Sequence, residues 1–382
     1  MVDRVFVHVG LPKTATSYLQ TIIWSRREEL QERGVVVPGR ERRDHLWASR
    51  TVREDPAQGR APQRHRTAWR RIVEELANGD GTGLISHEFF AAASAEQAAA
   101  MVAALPTDEV HVVVTAREPL GLFTASWQES LKNGATTPMP DYGRKVSARS
   151  TAIWNWRTLD LRLVLERWSQ AVPPERIHVL VLDPAAPRED VWLKLAGVVG
   201  FPPEDIDLSG SFPNSSMGVA EAETLRRING ALDGFGSAFD RGVYIRTFLA
   251  DERLVPRRGE RFWPEPEQVE ECRRRGDEAV AHLRSAPYDV VGDVEHLRVP
   301  AELEERRRTG SVTDAEVAAV AVDLAATMLG DVRSLRQQAA TAGGAGPARG
   351  LARRLPGRAR SVLRRVLRRG RTRQVRRGAP SA

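Results

Sequence analysis

Cysteine and long apolar runs are what this sequence most clearly lacks. Cys272 is the one cysteine in 382 residues, so no disulfide can form within the chain and a reducing compartment is expected. No run is long and apolar enough to cross a membrane, and the first residues lack the pattern of a secretion signal. The eight histidines are scattered and show no metal-ligand spacing, so we expect no metal. The sequence therefore predicts a cytoplasmic protein.

Acidic residues are absent from the C-terminal end. Residues 341–382 contain thirteen arginines and no Asp or Glu, whereas the rest of the chain has 44 basic against 50 acidic residues. The net charge of +7 thus belongs to this end, and we expect no specific nucleic-acid partner for the mildly acidic remainder. We predict one domain over 1–338 and an Arg-rich tail over 339–382. The tail is either disordered or a basic amphipathic helix on an anionic membrane surface, peripheral at the inner face, and nucleic acid is a third alternative as its partner.

Apolar segments alternate with helical patterns through the first half of the chain. Four of them have the composition of buried strands: Val5–Val9, Gly81–Ser86, Val110–Ala116 and Ile177–Leu182. A fifth, shorter one is Gly34–Pro38. This alternation predicts an α/β fold, with a parallel sheet of four to five strands flanked by helices and a helical C-terminal part. Polar composition predicts a long loop over 39–65 and a lid over 133–153.

The segment Gly10–Ser17 separates the first predicted strand from a predicted helix. Its glycine and proline favour a turn, and the hydroxyl residues Thr14, Thr16 and Ser17 lie where the helix begins. The N–H groups of a first helical turn, together with the helix dipole, attract an anion. Lys13 lies inside the turn although the chain has only four lysines, which suggests that a compact ammonium is needed there. The segment predicts a phosphate-binding loop; the alternative is a plain turn with a surface lysine.

The spacing of this loop excludes a Walker A motif, because Ala15 and Thr16 stand where that motif requires glycine and lysine. The run Pro12-Lys13-Thr14-Ala15-Thr16-Ser17 instead resembles the 5′-phosphosulfate loop of sulfotransferases that use 3′-phosphoadenylyl sulfate (PAPS). Ala15 departs from the family pattern, which has glycine at that position. The resemblance extends over roughly residues 1–335. It implies a P-loop-like fold and a PAPS site that includes these six residues.

Charged residues also follow the second and third predicted strands. His87 and Glu88 come directly after one, and Arg117 comes directly after the other. Because parallel strands end at one edge of a sheet, we expect these side chains to converge with Lys13. Attack by a hydroxyl requires a general base, and only one of His87 and Glu88 is expected to face the site. Glu88 is preferred, because the two phenylalanines that follow it would form a dry wall and make it more basic.

Arg117 suits a second phosphate, since a guanidinium group binds phosphate through two parallel hydrogen bonds. The resemblance pairs this arginine with a serine on the following helix. Ser126 is the residue of that type here, one position beyond the usual spacing, and Thr124 is the alternative. The competing interpretation is that Arg117 only pairs with Glu118 or Glu129 at the strand end.

These features predict a sulfotransferase that moves a sulfuryl group from PAPS to a hydroxyl of a carbohydrate, lipid or small molecule. Lys13 would stabilise the charge that develops on the leaving oxygen, and Glu88 or His87 would accept the proton. Two other functions stay open. One is an ATP-dependent phosphoryl-transfer enzyme that uses the same loop, and the other is a non-catalytic nucleotide-binding protein.

Overall fold

The structure is a computed structural model that describes residues 1–203 and 216–343. It divides into two units, the first covering Met1–Thr313 and the second beginning at Asp314. The described part of the second unit is a single helix, Asp314–Gly343. The predicted tail over 339–382 therefore lies mostly outside the described residues, and the predicted boundary at 338 falls inside this helix.

The first unit is built on a six-stranded sheet in which every neighbouring pair is parallel. The strands in chain order are β1 (Arg4–His8), β2 (Val35–Val36), β3 (Thr82–Ser86), β4 (Val110–Ala116), β5 (Ile177–Val181), β6 (Phe262–Trp263), β7 (Asp289–Val291) and β8 (Arg307–Arg308). The sheet has the order β2-β3-β1-β4-β5-β7, and β6 pairs with β8 separately. The predicted α/β class with a parallel sheet is confirmed. The count of four to five strands was wrong, because β7 is three partly exposed residues without an apolar run.

Helices flank this sheet and follow it toward the C-terminus. The α-helices are α1 (Thr16–Ser25), α2 (Arg27–Glu32), α3 (Arg43–Val52), α4 (Gln63–Arg66), α5 (Ala68–Asn78), α6 (Ala95–Ala103), α7 (Pro119–Lys132), α8 (Trp156–Leu159), α9 (Leu161–Trp168), α10 (Asp190–Val199), α11 (Val219–Ala231), α12 (Ala238–Asp240), α13 (Pro266–Ser285) and α14 (Asp314–Gly343). A π-helix covers Arg241–Leu254. Short 3-10 turns cover Pro56–Arg60, Glu88–Ala92, Met139–Asp141, Pro174–Arg176, Val255–Arg257, Val294–Leu297 and Thr309–Ser311. No helix among the described residues has the length and apolarity needed to span a membrane.

The apolar strands form the centre of the core. In β1 the side chains alternate, so that Phe6 belongs to a cluster shared with α1, α2 and α10 while Val5 and Val7 are buried on the other side of the strand. Helix α5 packs closely on that other side, since a Cβ placed on Gly83 would lie only 2.6 Å from the side chain of Leu76. Burial on both faces is why these strands are continuous apolar runs rather than alternating ones.

Two predicted loops have other structures. The segment 39–65 contains α3, a 3-10 turn and α4, because its many charged residues hide an amphipathic pattern that buries His45, Ala48 and Ser49. The segment 133–153, predicted as a lid, contains the 3-10 turn Met139–Asp141 and is hydrogen-bonded to α13. Gln268 Nε2 donates to the carbonyls of Met139 (2.7 Å) and Tyr142 (2.9 Å), and both of these side chains are buried.

Helix α10 provides a matched test of the face that it buries. Leu195 is fully buried in the cluster with Phe6, whereas Leu193, two residues earlier, is 52% exposed. Leu195→Ala should lower the free energy of unfolding by about 3 kcal/mol, and Leu193→Ala by less than about 0.5 kcal/mol. Urea denaturation of both variants measures the difference. Equal losses would contradict the placement of α10 on the sheet.

Candidate active site

Strand β1 lies between β3, which is followed by His87 and Glu88, and β4, which is followed by Arg117. Its last residue, His8, is fully buried; Nδ1 lies 2.8 Å from Ser86 Oγ on β3, and Nε2 lies 3.2 Å from Thr115 Oγ1 on β4. Burial lowers the pKa of His8 to about 4, so the ring is neutral near pH 7. Thr115 Oγ1 is also 2.6 Å from Thr14 Oγ1. These bonds fix the loop Gly10–Ser17 at the carboxyl edge of the sheet, where ligands of α/β proteins bind.

The loop has an alternating backbone. Lys13 (φ 71°) and Ala15 (φ 60°) are left-handed, the residue between them is not, and Thr16 begins the right-handed helix α1. Among the described residues, none accepts a hydrogen bond from the backbone N–H groups of Lys13, Ala15, Thr16 and Ser17. Alternating left- and right-handed residues turn successive N–H groups into one concavity, which together with a helix N-terminus binds anions. The loop therefore has the geometry of an anion site.

The three hydroxyl residues of the loop differ in what they can contribute. Thr14 is fully buried, and its Oγ1 donates to Leu11 O at 2.5 Å, so this hydroxyl holds the loop together. The hydroxyls of Thr16 and Ser17 have no hydrogen-bond partner among the described residues. Ser17 is exposed and Pro12 is buried at the base of the turn. Ser17 is therefore the exposed hydroxyl residue that can reach a ligand, Thr16 is buried with an unpartnered hydroxyl, and Thr14 is structural.

Lys13 is held by a carboxylate that the sequence did not reveal. Its Nζ lies 3.0 Å from Glu129 Oε2 on α7, and Arg246 Nη1 lies 2.8 Å from the other oxygen. Burial favours the neutral form of Glu129, but Lys13, Arg246 and Lys132 outweigh it and hold its pKa at about 2. Since the side chain of Lys13 is 33% exposed, its ammonium remains reachable from solvent. A bound anion would compete with Glu129 for this ammonium.

Glu88 lies directly against the loop. A Cβ placed on Gly10 would be 3.2 Å from the Cβ of Glu88, and Gln20 Nε2 donates to Glu88 Oε2 at 2.8 Å. Burial would raise the pKa of Glu88, but His87, its own backbone N–H and Gln20 together hold it below the usual value. The expectation that a dry wall makes Glu88 more basic was therefore wrong. Glu88 is an ionised carboxylate beside the loop.

His87 is a poorer candidate for the base. Its Nδ1 accepts a hydrogen bond from Phe89 N at 3.1 Å, so in the neutral ring the proton is on Nε2. Burial lowers the pKa of His87 to about 4. A neutral ring that already carries its proton on the second nitrogen donates a hydrogen bond there and does not accept a proton. Between the two candidates, the geometry favours Glu88.

The carboxyl edge of the sheet, with the loop Gly10–Ser17 and the residues that follow β3 and β4, is called the rim below. Two further residues at this rim, Gln20 and Arg42, escaped prediction. Gln20 on α1 connects Glu88 to Arg42, whose Nη2 donates to Gln20 Oε1 at 3.1 Å. Arg42 also donates to Thr21 Oγ1 at 3.0 Å, so its guanidinium lies along the first turns of α1. Gln20 had a detectable signal, since it is a polar residue on the buried face of an amphipathic helix. Arg42 had none, because it lies in the segment that composition predicted to be a loop.

Arg117 follows β4 as expected, but its partner is a carboxylate. Its Nη2 lies 2.9 Å from Glu118 Oε1, and Glu118 also caps α7 by accepting from the N–H of Gly121. The side chain of Arg117 is 38% exposed, so the guanidinium is accessible for exchange. The competing interpretation from the sequence, pairing with Glu118, is what the structure contains.

The structure does not bring Ser126 to the rim, and this expectation needs correction. Ser126 is fully buried, and its Oγ is 2.6 Å from the hydroxyl of Tyr142, which in turn donates to Trp154 O at 2.9 Å. Thr124, the alternative, is 9% exposed and donates to Leu120 O at 2.9 Å. The start of α7 at Pro119 sets a helical phase that turns Ser126 into the core, and the family spacing does not encode that phase.

Comparison with known proteins adds no assignment. No protein-family model matches the chain, and no curated protein is significantly similar to it. Within residues 1–203 and 216–343, no group of three or more His, Cys, Asp or Glu side chains has the geometry of a metal site. The function of this rim must therefore be inferred from its own residues and geometry.

The left-handed conformation of Ala15 predicts that glycine is better there. Ala15→Gly should raise the free energy of unfolding by about 1 kcal/mol, because a Cβ is unfavourable at positive φ. Ala99→Gly is the matched control: Ala99 is an exposed residue within α6, and the same change should cost about 1 kcal/mol. Chemical denaturation measures both. The same sign for the two variants would contradict the loop conformation.

The buried histidines predict instability in mild acid. Burial lowers the pKa of His8, His45 and His87 from 6.5 to about 4. The unfolded chain therefore binds more protons below pH 6.5, so stability is complete above that pH and falls as the pH drops toward 4. Urea denaturation at a series of pH values should show uptake of about one proton per histidine near pH 5. His45→Gln should reduce this uptake by about one; a flat profile between pH 6.5 and 5 would contradict the burial.

Proposed function

We propose that this chain transfers a sulfuryl group from PAPS to a hydroxyl of an acceptor. The observation that carries the proposal is the loop Gly10–Ser17 at the carboxyl edge of the sheet. It contains Lys13 and four backbone N–H groups that have no acceptor among the described residues. The spacing of this lysine is that of a 5′-phosphosulfate loop and not that of Walker A. The resemblance and the anion geometry support each other, because they depend on different properties of the same eight residues.

The residues present have the chemistry to hold this donor. The N–H groups from Ala15 to Ser17, with the hydroxyls of Thr16 and Ser17, suit the 5′-phosphosulfate. Arg117, after exchanging Glu118 for a phosphate, suits the 3′-phosphate. Ser126 takes no part in this assignment because its hydroxyl is buried against Tyr142. Ala15 already adopts the left-handed conformation that glycine favours, so the loop geometry is achieved at the cost of local strain.

The proposed reaction is a single displacement at sulfur. The acceptor oxygen attacks the sulfur atom, the bond from sulfur to the bridging oxygen of the 5′-phosphate breaks, and the hydroxyl proton passes to the Glu88 carboxylate. The products are a sulfate ester and 3′,5′-bisphosphoadenosine. Lys13, on leaving Glu129, would stabilise the negative charge on the bridging oxygen, which is greater in the transition state than in the ground state. Arg246 would continue to neutralise Glu129.

One observation favours a second candidate, a non-catalytic nucleotide-binding protein. The lowered pKa of Glu88 makes it a weak base, and His87 has its proton on the nitrogen that would have to accept one. A protein that only binds the nucleotide needs the anion loop and neither of these groups. An ATP-dependent phosphoryl-transfer enzyme is the third candidate, and it differs from the others in its requirement for Mg²⁺.

Lys13 provides the central test. Thermal-shift titration of the wild type should show stabilisation by 3′,5′-bisphosphoadenosine without Mg²⁺ and little response to ATP with Mg²⁺. Lys13→Ala should weaken bisphosphate binding at least about tenfold and abolish transfer from PAPS, with a smaller effect on melting temperature because Arg246 still neutralises the buried Glu129. Lys145→Ala, which removes an exposed lysine far along the chain, is the control and should behave as the wild type.

Three results would separate the candidates. A response to ATP with Mg²⁺ alone would contradict the sulfotransferase proposal and favour phosphoryl transfer. Bisphosphate binding without transfer to any acceptor in a broad panel would favour the non-catalytic protein. Equal loss of stability and binding in Lys13→Ala would make the lysine structural.

A further inference from the structure

A cavity of about 600 Å³ lies beside the C-terminal half of α7, and no residue of the loop Gly10–Ser17 lines it. The lining consists of small, apolar, aromatic and amide residues together with Arg241, which is its only charged residue in the described part of the chain. Small-molecule sites have this size, and they combine apolar walls with a few polar groups that orient the ligand. The charge of Arg241 and the apolar walls therefore decide which ligand fits.

The side chain of Arg241 is fixed against the wall of the cavity. A Cβ placed on Gly134, which follows the end of α7 with a φ of +89°, would lie 3.0 Å from Arg241 Cδ. The stem of the arginine therefore fills the space that a side chain at this position would need, and the positive φ also favours glycine there. At the other end of the side chain, Nη1 donates to Gly236 O at 2.5 Å. Since both ends are held, the guanidinium loses little freedom when a ligand binds.

No carboxylate among the described residues neutralises this guanidinium. Its Nε and Nη2 have no hydrogen-bond partner there either. Arg246, five residues further along the same π-helix, binds Glu129 Oε1 at 2.8 Å, whereas Asp240, which directly precedes Arg241, is bound to Ser237 instead. An anion in the cavity would gain charge-assisted hydrogen bonds from Arg241, and a cation would be repelled.

The cavity wall continues into an exposed aromatic surface. Trp154 and Phe235 line the cavity, and Phe235 is 36% exposed. The ring of Tyr244 lies 5.9 Å from that of Phe235, the ring of Phe239 lies 6.4 Å from that of Tyr244, and both residues are 46% exposed. Exposed apolar surface of this kind marks binding sites, because a ligand with an apolar part removes it from water. An inorganic anion such as sulfate would leave it uncovered.

We propose that this cavity binds an organic monoanion with an apolar body, such as an aromatic carboxylate. Its charged group accepts hydrogen bonds from Arg241, and its apolar body packs on Trp154 and Phe235. One guanidinium balances one negative charge, so a nucleotide with several charged phosphates is a poor match for this lining. The inference goes beyond the proposed function and does not depend on it.

Three compounds that share one ring system test the charge preference on the unaltered protein. Titration calorimetry of the full chain measures the Kd of 2-naphthoate, 2-naphthylmethanol and 2-naphthylmethylammonium. The carboxylate should bind at least about tenfold more tightly than the alcohol, because hydrogen bonds to a charged group contribute about 1.5–3 kcal/mol, and the ammonium should bind most weakly. Equal affinity for all three, or no binding of naphthoate, would overturn the proposal. Sulfate that binds as tightly as naphthoate would contradict the apolar part.

Two substitutions separate the charge from the apolar contact. Arg241→Gln should weaken naphthoate at least about tenfold and leave naphthylmethanol unchanged, whereas Phe235→Ala should weaken both compounds by a similar factor. Arg241→Lys keeps the charge and should keep the preference for naphthoate over the alcohol, which excludes misfolding as the cause. Arg333→Gln, which removes an exposed arginine of α14 outside the lining, is the control and should bind as the wild type does. Unchanged naphthoate binding in Arg241→Gln would overturn the role of this arginine.

The outcomes distinguish this inference from the proposed function. Lys13→Ala should bind naphthoate as the wild type does while losing the bisphosphate. Naphthoate binding that depends on Arg241, in a protein that binds no bisphosphate, would support the cavity and contradict the sulfotransferase. Transfer from PAPS in a protein without affinity for naphthoate would overturn the cavity proposal alone.

Discussion

The buried hydrogen-bond chain through His8 is the constraint on which the rim depends. His8 binds Ser86 on one neighbouring strand and Thr115 on the other, and Thr115 continues to Thr14 in the loop. Each of these polar groups is buried, so losing one partner would leave the others unsatisfied at a cost of about 1–3 kcal/mol each. The chain therefore ties three strand ends and the loop into one unit. Lys13 and Ala15 keep their unfavourable left-handed backbone because these hydrogen bonds hold the loop in one conformation.

A rigid loop is useful only if the charges around it can be rearranged. Lys13 is bound to Glu129, and Arg117 is bound to Glu118, so both cations that suit a bisphosphate are already neutralised. The Arg117 pair is partly exposed and contributes little to stability, and in the other pair Arg246 stays on the buried Glu129 when Lys13 leaves, so both pairs can be exchanged for a ligand. The arrangement lowers the cost of keeping two cations at one rim without a bound anion. It also means that the donor would replace existing ion pairs rather than meet free charges.

The sequence predicted the parts of this rim that depend on local pattern. Continuous apolar runs identified the main strands, and strand ends placed Lys13, Glu88 and Arg117 at one edge. Contacts between distant segments were not predictable: Glu129 lies 116 residues from Lys13, and its role depends on how α7 packs. Ser126 illustrates the same limit, because its residue type fitted the family and only the helical phase of α7 shows that it is buried. The pKa of Glu88 is lowered because His87, its own backbone N–H and Gln20 outweigh burial, and the geometry of these contacts is not written in the composition.

Glu129 connects the lysine of the loop to helix α7 and to Arg246. Its carboxylate binds Lys13, while its backbone carbonyl accepts a hydrogen bond from Asn133 Nδ2 at the C-terminal end of α7. Because Arg246 holds the other carboxylate oxygen, Glu129 stays ionised and in place when Lys13 turns toward a donor.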